Sequence, residues 1–258
     1  MKNRSLILSS LIITALTLGA CGYQVEEPHP VEAPHGTYEG EEGPEHWGEI
    51  DPAYAVCGTG ASQSPIDISA PAEKDLSNIS FHYQPSDMSI LNNGHTVQVN
   101  YDAGSYIELD GTRYDVAQFH YHAPSEHNVD GRSFAAEIHI VHKNAEGKLA
   151  VVGILLEEGA ENTAFDPFVN NLPTEKSDAK DTGIKINASD LLPVVQTTFR
   201  YSGSLTTPPC SEGVSWLVMT TPFELSAAQL EKLAGLFEGN NRPVQELNNR
   251  TPLEDSTP

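Results

Sequence analysis

The sequence predicts a β-dominated fold, all-β or α+β: a single domain with a large central, mostly antiparallel twisted sheet and short peripheral helices. Three observations predict it. Aromatic and β-branched residues recur in short runs bounded by Gly, Pro and Asn, a strand pattern rather than a helical one. The connections between those runs are short, which favours antiparallel neighbours, because parallel ones need long crossovers. The 258 residues contain no internal repeat, so one domain of roughly 200 residues with appendages is the natural size.

In chain order, the strand-like segments are Val97–Tyr101, Tyr106–Leu109, Val116–Tyr121, Ala135–His142, Leu149–Leu156 and Ser215–Thr220. Asp110-Gly111, Asp130-Gly131 and Glu146-Gly147 supply turns between them. One helix is predicted, from Ser226 to about Phe237. Ser226 and Gln229 form a capping box, Leu230, Leu233, Leu236 and Phe237 an apolar face, and Gly239 the stop. With 38% hydrophobic residues the chain can bury a sizeable core.

The formal charge is −22, and removing Lys2 and Arg4 with the leader leaves 12 basic against 36 acidic residues, or −24. Nucleic acid and anionic lipid repel such a chain, and no basic stripe offsets the repulsion, so no nucleic-acid partner is expected. The acidity has no catalytic explanation; solubility near a membrane is a plausible one.

Lys2 and Arg4 make a positive n-region, and Leu6 to Leu18 an apolar run of signal-peptide length, too short for a transmembrane helix. Residues 1–20 are therefore expected to be a signal peptide. Leu18-Gly19-Ala20-Cys21 resembles a bacterial lipobox, whose Cys becomes lipidated and then N-terminal. The alternative is ordinary cleavage near Ala20 with Cys21 incidental. Residues 21–36, rich in Pro, Glu and His, read as a lipid-anchored acidic spacer. His29 and His35 there read as linker residues. The expected location is exported, periplasmic and membrane-anchored through the lipid on Cys21. The folded domain spans residues 37–250, and residues 251–258 form a C-terminal tail. With Cys21 assigned to lipid, Cys57 and Cys210 remain, an even pair in a compartment that permits a disulfide. Two unrelated free thiols are the alternative. A bridge would close a long loop, for which the chain-entropy model gives about 4–5 kcal/mol as an upper guide.

The chemistry lies in Gln118-Phe119-His120-Tyr121-His122 and Ala136-Glu137-Ile138-His139-Ile140-Val141-His142. Side chains two apart on a strand share a face, so Gln118, His120 and His122 point one way, as do Glu137, His139 and Val141. A connection rich in Asn, Asp and Gly can return the second strand beside the first. Three imidazoles then converge, and three neutral nitrogens with an open fourth position describe a catalytic zinc site. Soft copper or an iron–sulfur cluster would need thiolates. Gln118 and Glu137, each two residues before a His, stand where the other ring nitrogen of a ligand is held. An H-x-H on a strand is by itself more often structural; the third His with an acidic residue two before it reverses that reading.

The resemblance to a known family follows from further segments. Gly43-Pro44-Glu45-His46-Trp47, Gln63-Ser64-Pro65-Ile66-Asp67-Ile68, Asn92-Asn93-Gly94-His95, Ser125-Glu126-His127, Ala136-Glu137-Ile138-His139 and Tyr201-Ser202-Gly203-Ser204-Leu205-Thr206-Thr207-Pro208-Pro209-Cys210 occur in one order. From about Tyr38 to Arg250 the chain resembles the α-class carbonic anhydrases. The resemblance implies an enzyme for the reversible hydration of carbon dioxide to bicarbonate and a proton. It implies Zn2+ on His120, His122 and His139, with hydroxide in the fourth position attacking carbon dioxide. Thr206 matches the gatekeeper that accepts the hydroxide's proton and donates its own to Glu126. Thr207 matches a position close to bound bicarbonate. His95 matches the proton shuttle, and an imidazole whose ordinary pKa is about 6.5 suits that task. Tyr38, Asn93 and Gln98 match polar positions that order water between zinc and shuttle. Val141, Val151, Leu205, Val214 and Trp216 match the apolar wall where carbon dioxide rests, although ordinary core would look the same. Cys57 and Cys210 match a bridge found in exported members, which would brace the loop carrying Thr206. His46, His82, His127 and His142 read as structural or exposed. Asn241 departs from the family, standing where a Trp is common before Arg242-Pro243. A homodimer stays open. The competing readings are a non-catalytic relative that binds without turnover, a zinc-acquiring surface lipoprotein, and a zinc hydrolase of esters.

Overall fold

A run such as Leu149-Ala150-Val151-Val152-Gly153-Ile154-Leu155-Leu156 is stable as a strand only if both of its faces are covered, and that requirement organises the sheet. The computed structural model describes residues 36–237 and 239–255, which form one compact unit. The expected signal peptide, the expected spacer through residue 35 and Cys21 lie outside the described residues. The strands are β1 (Asp67–Ile68), β2 (Ala72–Lys74), β3 (Ser80–His82), β4 (Ser86–Asn92), β5 (Val97–Asn100), β6 (Tyr106–Leu109), β7 (Thr112–His122), β8 (Asn128–Val129), β9 (Ala136–Lys143), β10 (Leu149–Glu158), β11 (Lys180–Ile186), β12 (Thr198–Ser204), β13 (Glu212–Met219), β14 (Phe223–Leu225) and β15 (Leu253–Asp255). The helices are short: α1 (Trp47–Ile50), α2 (Val56–Thr59), α3 (Asp166–Val169) and α4 (Ala227–Ala234).

Among the described residues, 13 strands form one sheet along the path β11-β4-β5-β7-β9-β10-β13-β12-β15-β2, with β14 on β10 and the β3–β6 pair beside β7. Most pairings are antiparallel, as the sequence predicts. Parallel pairs of β10 with β13 and with β14, and of β15 with β2, make the sheet mixed. On β10, Ala150, Val152, Ile154 and Leu156 face the larger core beside Phe119, Ile138 and Ile140. Val151 and Leu155 face a second apolar cluster with Val214, Trp216 and Val218. Each fully buried Val, Ile, Leu or Phe among them contributes roughly 1.5–3 kcal/mol.

The feature that places the site is a bulge in β7. Opposite β9, Val116 pairs with His142 but Gln118 pairs with Val141, so Ala117 is an extra residue. Before it, Tyr114 and Val116 face the larger core; after it, Phe119 and Tyr121 do. The extra residue swaps the faces, because side chains alternate with a period of two. Gln118, His120 and His122 are thereby turned to the face that carries Glu137, His139 and Val141 on β9. His120 stands directly opposite His139.

Most element boundaries shift by one to four residues from the sequence expectation, and three of the differences have a clear cause. β7 begins at Thr112 rather than Val116, because its polar first half pairs with β6, where the Arg113 guanidinium lies 3.7 Å over the Tyr106 ring. The capping box of Ser226 and Gln229 forms, but α4 ends at Ala234, where Gly235 caps it in helical geometry with its N–H on Glu231 O. Leu236 and Phe237 pack on the core beyond the helix end. Residues 253–255, read as part of a tail, instead form β15 between β12 and β2, fastened by Asp255 to Arg200 Nη2 at 2.8 Å. Cys57 and Cys210 form a disulfide, S–S 2.06 Å, linking α2 to the loop after β12.

His142 faces the larger core, away from the predicted ligands. Its Nε2 accepts from the Tyr83 hydroxyl at 2.8 Å, and its Nδ1 donates to Ala150 O at 3.2 Å. Burial pushes its pKa down to about 4. The unfolded chain therefore takes up a proton near pH 6.5 that the folded chain refuses, and stability falls as pH drops from about 6.5 to about 4. In urea titrations across that window, His142→Asn is expected to flatten the pH dependence by up to about 3 kcal/mol. Identical slopes for the two proteins would contradict the assignment.

Candidate metal centre

His120, His122 and His139 each offer a ring nitrogen, and the three ligand atoms lie within 4.8 Å of one another. Their ring centroids are 5.1, 5.2 and 4.8 Å apart. The remaining nitrogens are engaged. His120 Nδ1 bonds to Gln118 Oε1 at 2.9 Å, and His122 Nδ1 donates to the Asn240 carbonyl. Glu137 Oε1 stands 3.0 Å from His139 Nε2. These contacts fix which nitrogen is left over on each ring: Nε2 of His120, Nε2 of His122 and Nδ1 of His139. His122 Nε2 is buried and has no hydrogen-bond partner among the described residues.

Burial drives all three imidazole pKa values down, His122 to about 4, so each ring is neutral at physiological pH. Neutral imidazole is the form that binds metal. Glu137 is different. Burial raises its pKa, but His127 and His139 overcome that and hold it well below the ordinary carboxylate range. Its Oε2 also accepts the backbone N–H groups of Glu126 and His127 at 3.0 and 2.8 Å. A Cβ on Gly153, which faces His139 across the β9–β10 ladder, would stand 2.9 Å from Glu137 Oε1, so glycine leaves room for the carboxylate.

The donor set fits zinc: three nitrogen atoms, no thiolate within reach since both domain cysteines are bridged, and the buried Nε2 of His122 without a hydrogen-bond partner among the described residues. His127, Glu137 and His139 also approach one another, but His127 is spent. Its Nδ1 bonds Glu137 Oε1 at 2.7 Å and its Nε2 the Tyr201 hydroxyl at 2.6 Å.

A cleft of about 200 Å³ opens onto His120 and His122 and is also lined by Tyr38, Asn93, His95, Gln98, Gln118 and Thr207 among others. His95 is half-buried there, its ring 6.1 Å from that of Tyr38. Asn93 Oδ1 accepts the backbone N–H groups of His95 and Thr96, both at 2.9 Å, and so shapes the turn that presents His95. Gln98 Nε2 donates to Asn100 Oδ1 at 2.7 Å. Val141, Val151, Leu205, Val214 and Trp216 share one apolar cluster, and Trp216 meets the His139 ring at 4.8 Å. Thr206 and Glu126 are buried. Burial pushes the Glu126 carboxyl up to about 7 against the opposing pull of His139, the Arg242 N–H and the Thr206 hydroxyl.

With this geometry in place, the sequence matches the family model of the eukaryotic-type carbonic anhydrases over residues 42–254. The chain belongs to that family. A carbonic anhydrase of Klebsiella pneumoniae is 44% identical over 230 residues, covering 88% of this chain and 94% of that protein. Among solved structures, a hyperthermostable carbonic anhydrase from an active hydrothermal vent chimney is 48% identical with a TM-score of 0.82, covering 85% of this chain and 99% of the other. The α-carbonic anhydrase of Thermovibrio ammonificans, solved with the inhibitor sulfanilamide, is 41% identical with a TM-score of 0.83 and covers 85% and 98%. The chain is thus a carbonic anhydrase enzyme, with carbon dioxide and bicarbonate as its small-molecule substrates.

Several residues of this carbonic anhydrase site escaped the sequence reading. His127, read only as structural or exposed, is buried on Glu137, and Tyr201 passes the contact on to Ser64 Oγ at 2.8 Å. Asn240 orients His122 through its carbonyl, while its Nδ2 donates to His95 O at 2.8 Å. The adjacency of His127 to Glu126 was the one visible signal. Glu137→Gln removes the charge that faces His139, and is expected to weaken zinc binding roughly ten- to a hundredfold in a chelator competition. Unaltered affinity would show that Glu137 does not tune the ligand.

Proposed function

We propose that the chain hydrates carbon dioxide with a zinc ion held by His120, His122 and His139, and that His95 carries the released proton to solvent. The observation that supports this most is the convergence of three neutral imidazoles, two of which, His120 and His122, line a cleft that also holds His95. Zinc supplies Lewis acidity there, enough to bring the pKa of a water to about 7 in the family used as the standard case.

The chain's own residues do the rest. A threonine hydroxyl has a single proton, so if Glu126 takes it, Thr206 faces the reacting oxygen with a lone pair. Glu126 is suited to that duty because the Arg242 N–H already occupies its Oε1 at 2.8 Å, leaving Oε2 to receive Thr206. Thr207 borders the cleft where bicarbonate would leave. Val141, Val151, Leu205, Val214 and Trp216 offer carbon dioxide a dry apolar wall. Tyr38, Asn93 and Gln98 order solvent along the cleft toward His95, whose imidazole can accept a proton on one nitrogen and release it from the other. The disulfide suits an oxidising compartment, in keeping with export behind the signal peptide of residues 1–20 and a lipid anchor on Cys21. Among the described residues, no helix is long and apolar enough to cross a membrane.

Stopped-flow hydration of carbon dioxide by the purified domain, before and after chelation, tests the reading. Chelation is expected to abolish turnover and added zinc to restore it; chelator-insensitive or absent hydration between pH 6 and 9 would refute it. In weak buffer His95→Ala is expected to lose about tenfold or more in turnover, with recovery on adding imidazole. An unchanged rate would remove His95 from the shuttle role.

A further inference from the structure

We infer that Arg242 and Gln63 are positioning residues that clamp the Cys57–Cys210 bridge to both members of the Glu126–Thr206 pair; this rests on the zinc-hydration reading above. Glu126 lies between β7 and β8 and Thr206 just after β12, so neither is held in a sheet ladder. Their alignment needs another restraint, and the chain supplies one around the disulfide.

Arg242 is 1% and Gln63 4% exposed. Arg242 Nη2 donates to Cys57 O at 2.8 Å. Its Nη1 donates to Gln63 Oε1 at 2.9 Å and to Ser64 O at 2.8 Å. Gln63 Nε2 in turn donates to Cys210 O at 3.2 Å. The carbonyls of both half-cystines are thus tied to one Arg–Gln pair, and the disulfide closes the ring. A planar guanidinium spans two acceptors in fixed directions, which a lysine ammonium does not. The guanidinium donates these three hydrogen bonds while its buried Nε has no partner among the described residues, so losing any of the three would leave a further buried donor unmatched.

Each side of the ring leads to one catalytic partner. On one side, the Arg242 backbone N–H donates to Glu126 Oε1 at 2.8 Å. On the other, Cys210 N–H donates to Thr207 O at 2.8 Å, and Ser211 O receives Leu205 N–H at 3.0 Å, closing the loop that carries Thr206. Loss of the side-chain clamp would leave the Arg242 N–H present but free to drift, and a drift of an ångström at a reacting group is expensive in rate.

Arg242→Met in the full exported chain tests this, read by hydration kinetics, zinc content and hydrogen exchange. With the fold, the disulfide and bound zinc retained, kcat is expected to fall about tenfold with KM within about twofold, while exchange of the residue-242 amide accelerates about tenfold. A folded, zinc-replete variant with kcat within about twofold of the parent, or with the amide equally protected, would overturn the inference, and so would a rise in KM alone. If Arg242→Met does not fold, Gln63→Leu is measured in the same way and is expected to show the same split. Unchanged kcat and exchange in that variant would equally overturn it. Should the parent itself show no chelator-sensitive hydration, the functional reading falls, and the exchange measurement still decides whether the clamp holds residue 242.

Discussion

β7 and β9 pair through a ladder that slips by one residue at Ala117, and the geometry of the site depends on that slip. Side-chain direction alternates along a strand, so one extra residue reverses the faces of everything after it. Tyr114 and Val116 lie in the larger core ahead of the bulge, while His120 and His122 emerge on the opposite face beyond it, across from His139. A regular ladder would have sent the two histidines into the apolar core. On the next strand Gly153 sits opposite His139 and leaves space for Glu137 to approach the ring. Three adjacent strands therefore cooperate before any loop is considered.

Burial then sets the protonation states. Imidazoles out of water are held neutral, which removes mutual repulsion and leaves lone pairs to converge. The one carboxylate held strongly ionised beside them, Glu137, is matched by two backbone N–H groups and His127. The line continues from His127 to the Tyr201 hydroxyl, to Ser64 Oγ and to the backbone N–H of Ser204 at 3.0 Å. A buried polar network rigidifies its members, and here one of them, Glu137, stands 3.0 Å from Nε2 of the predicted metal ligand His139.

Much of this was legible in the sequence because it is periodic. Gln118, His120 and His122 could be placed on one face, and Glu137 with His139 on another, from a period of two alone. The capping box of Ser226 and Gln229 was legible for the same local reason. What stayed hidden was either an interruption of a period or a contact across the chain. Ala117 carries no bulge signature, so the face-swap was invisible. Gly235 ended α4 before the apolar pattern ran out. β15 has three residues and no alternation, and only its neighbours β12 and β2 make it a strand. Asn240 reaches His122 from 118 positions away, and Arg242 reaches Gln63 from 179, separations at which residue type says nothing about partnership.

The proposed zinc site is His120, His122 and His139, with His127 and Glu137 supporting it from behind. Anomalous diffraction at the zinc edge from crystals of the metal-reconstituted chain tests it most directly. One strong peak is expected, bonded to Nε2 of His120, Nε2 of His122 and Nδ1 of His139, with Glu137 still beside His139 Nε2. A peak centred among His127, Glu137 and His139, or no bound metal in a folded chain, would contradict it.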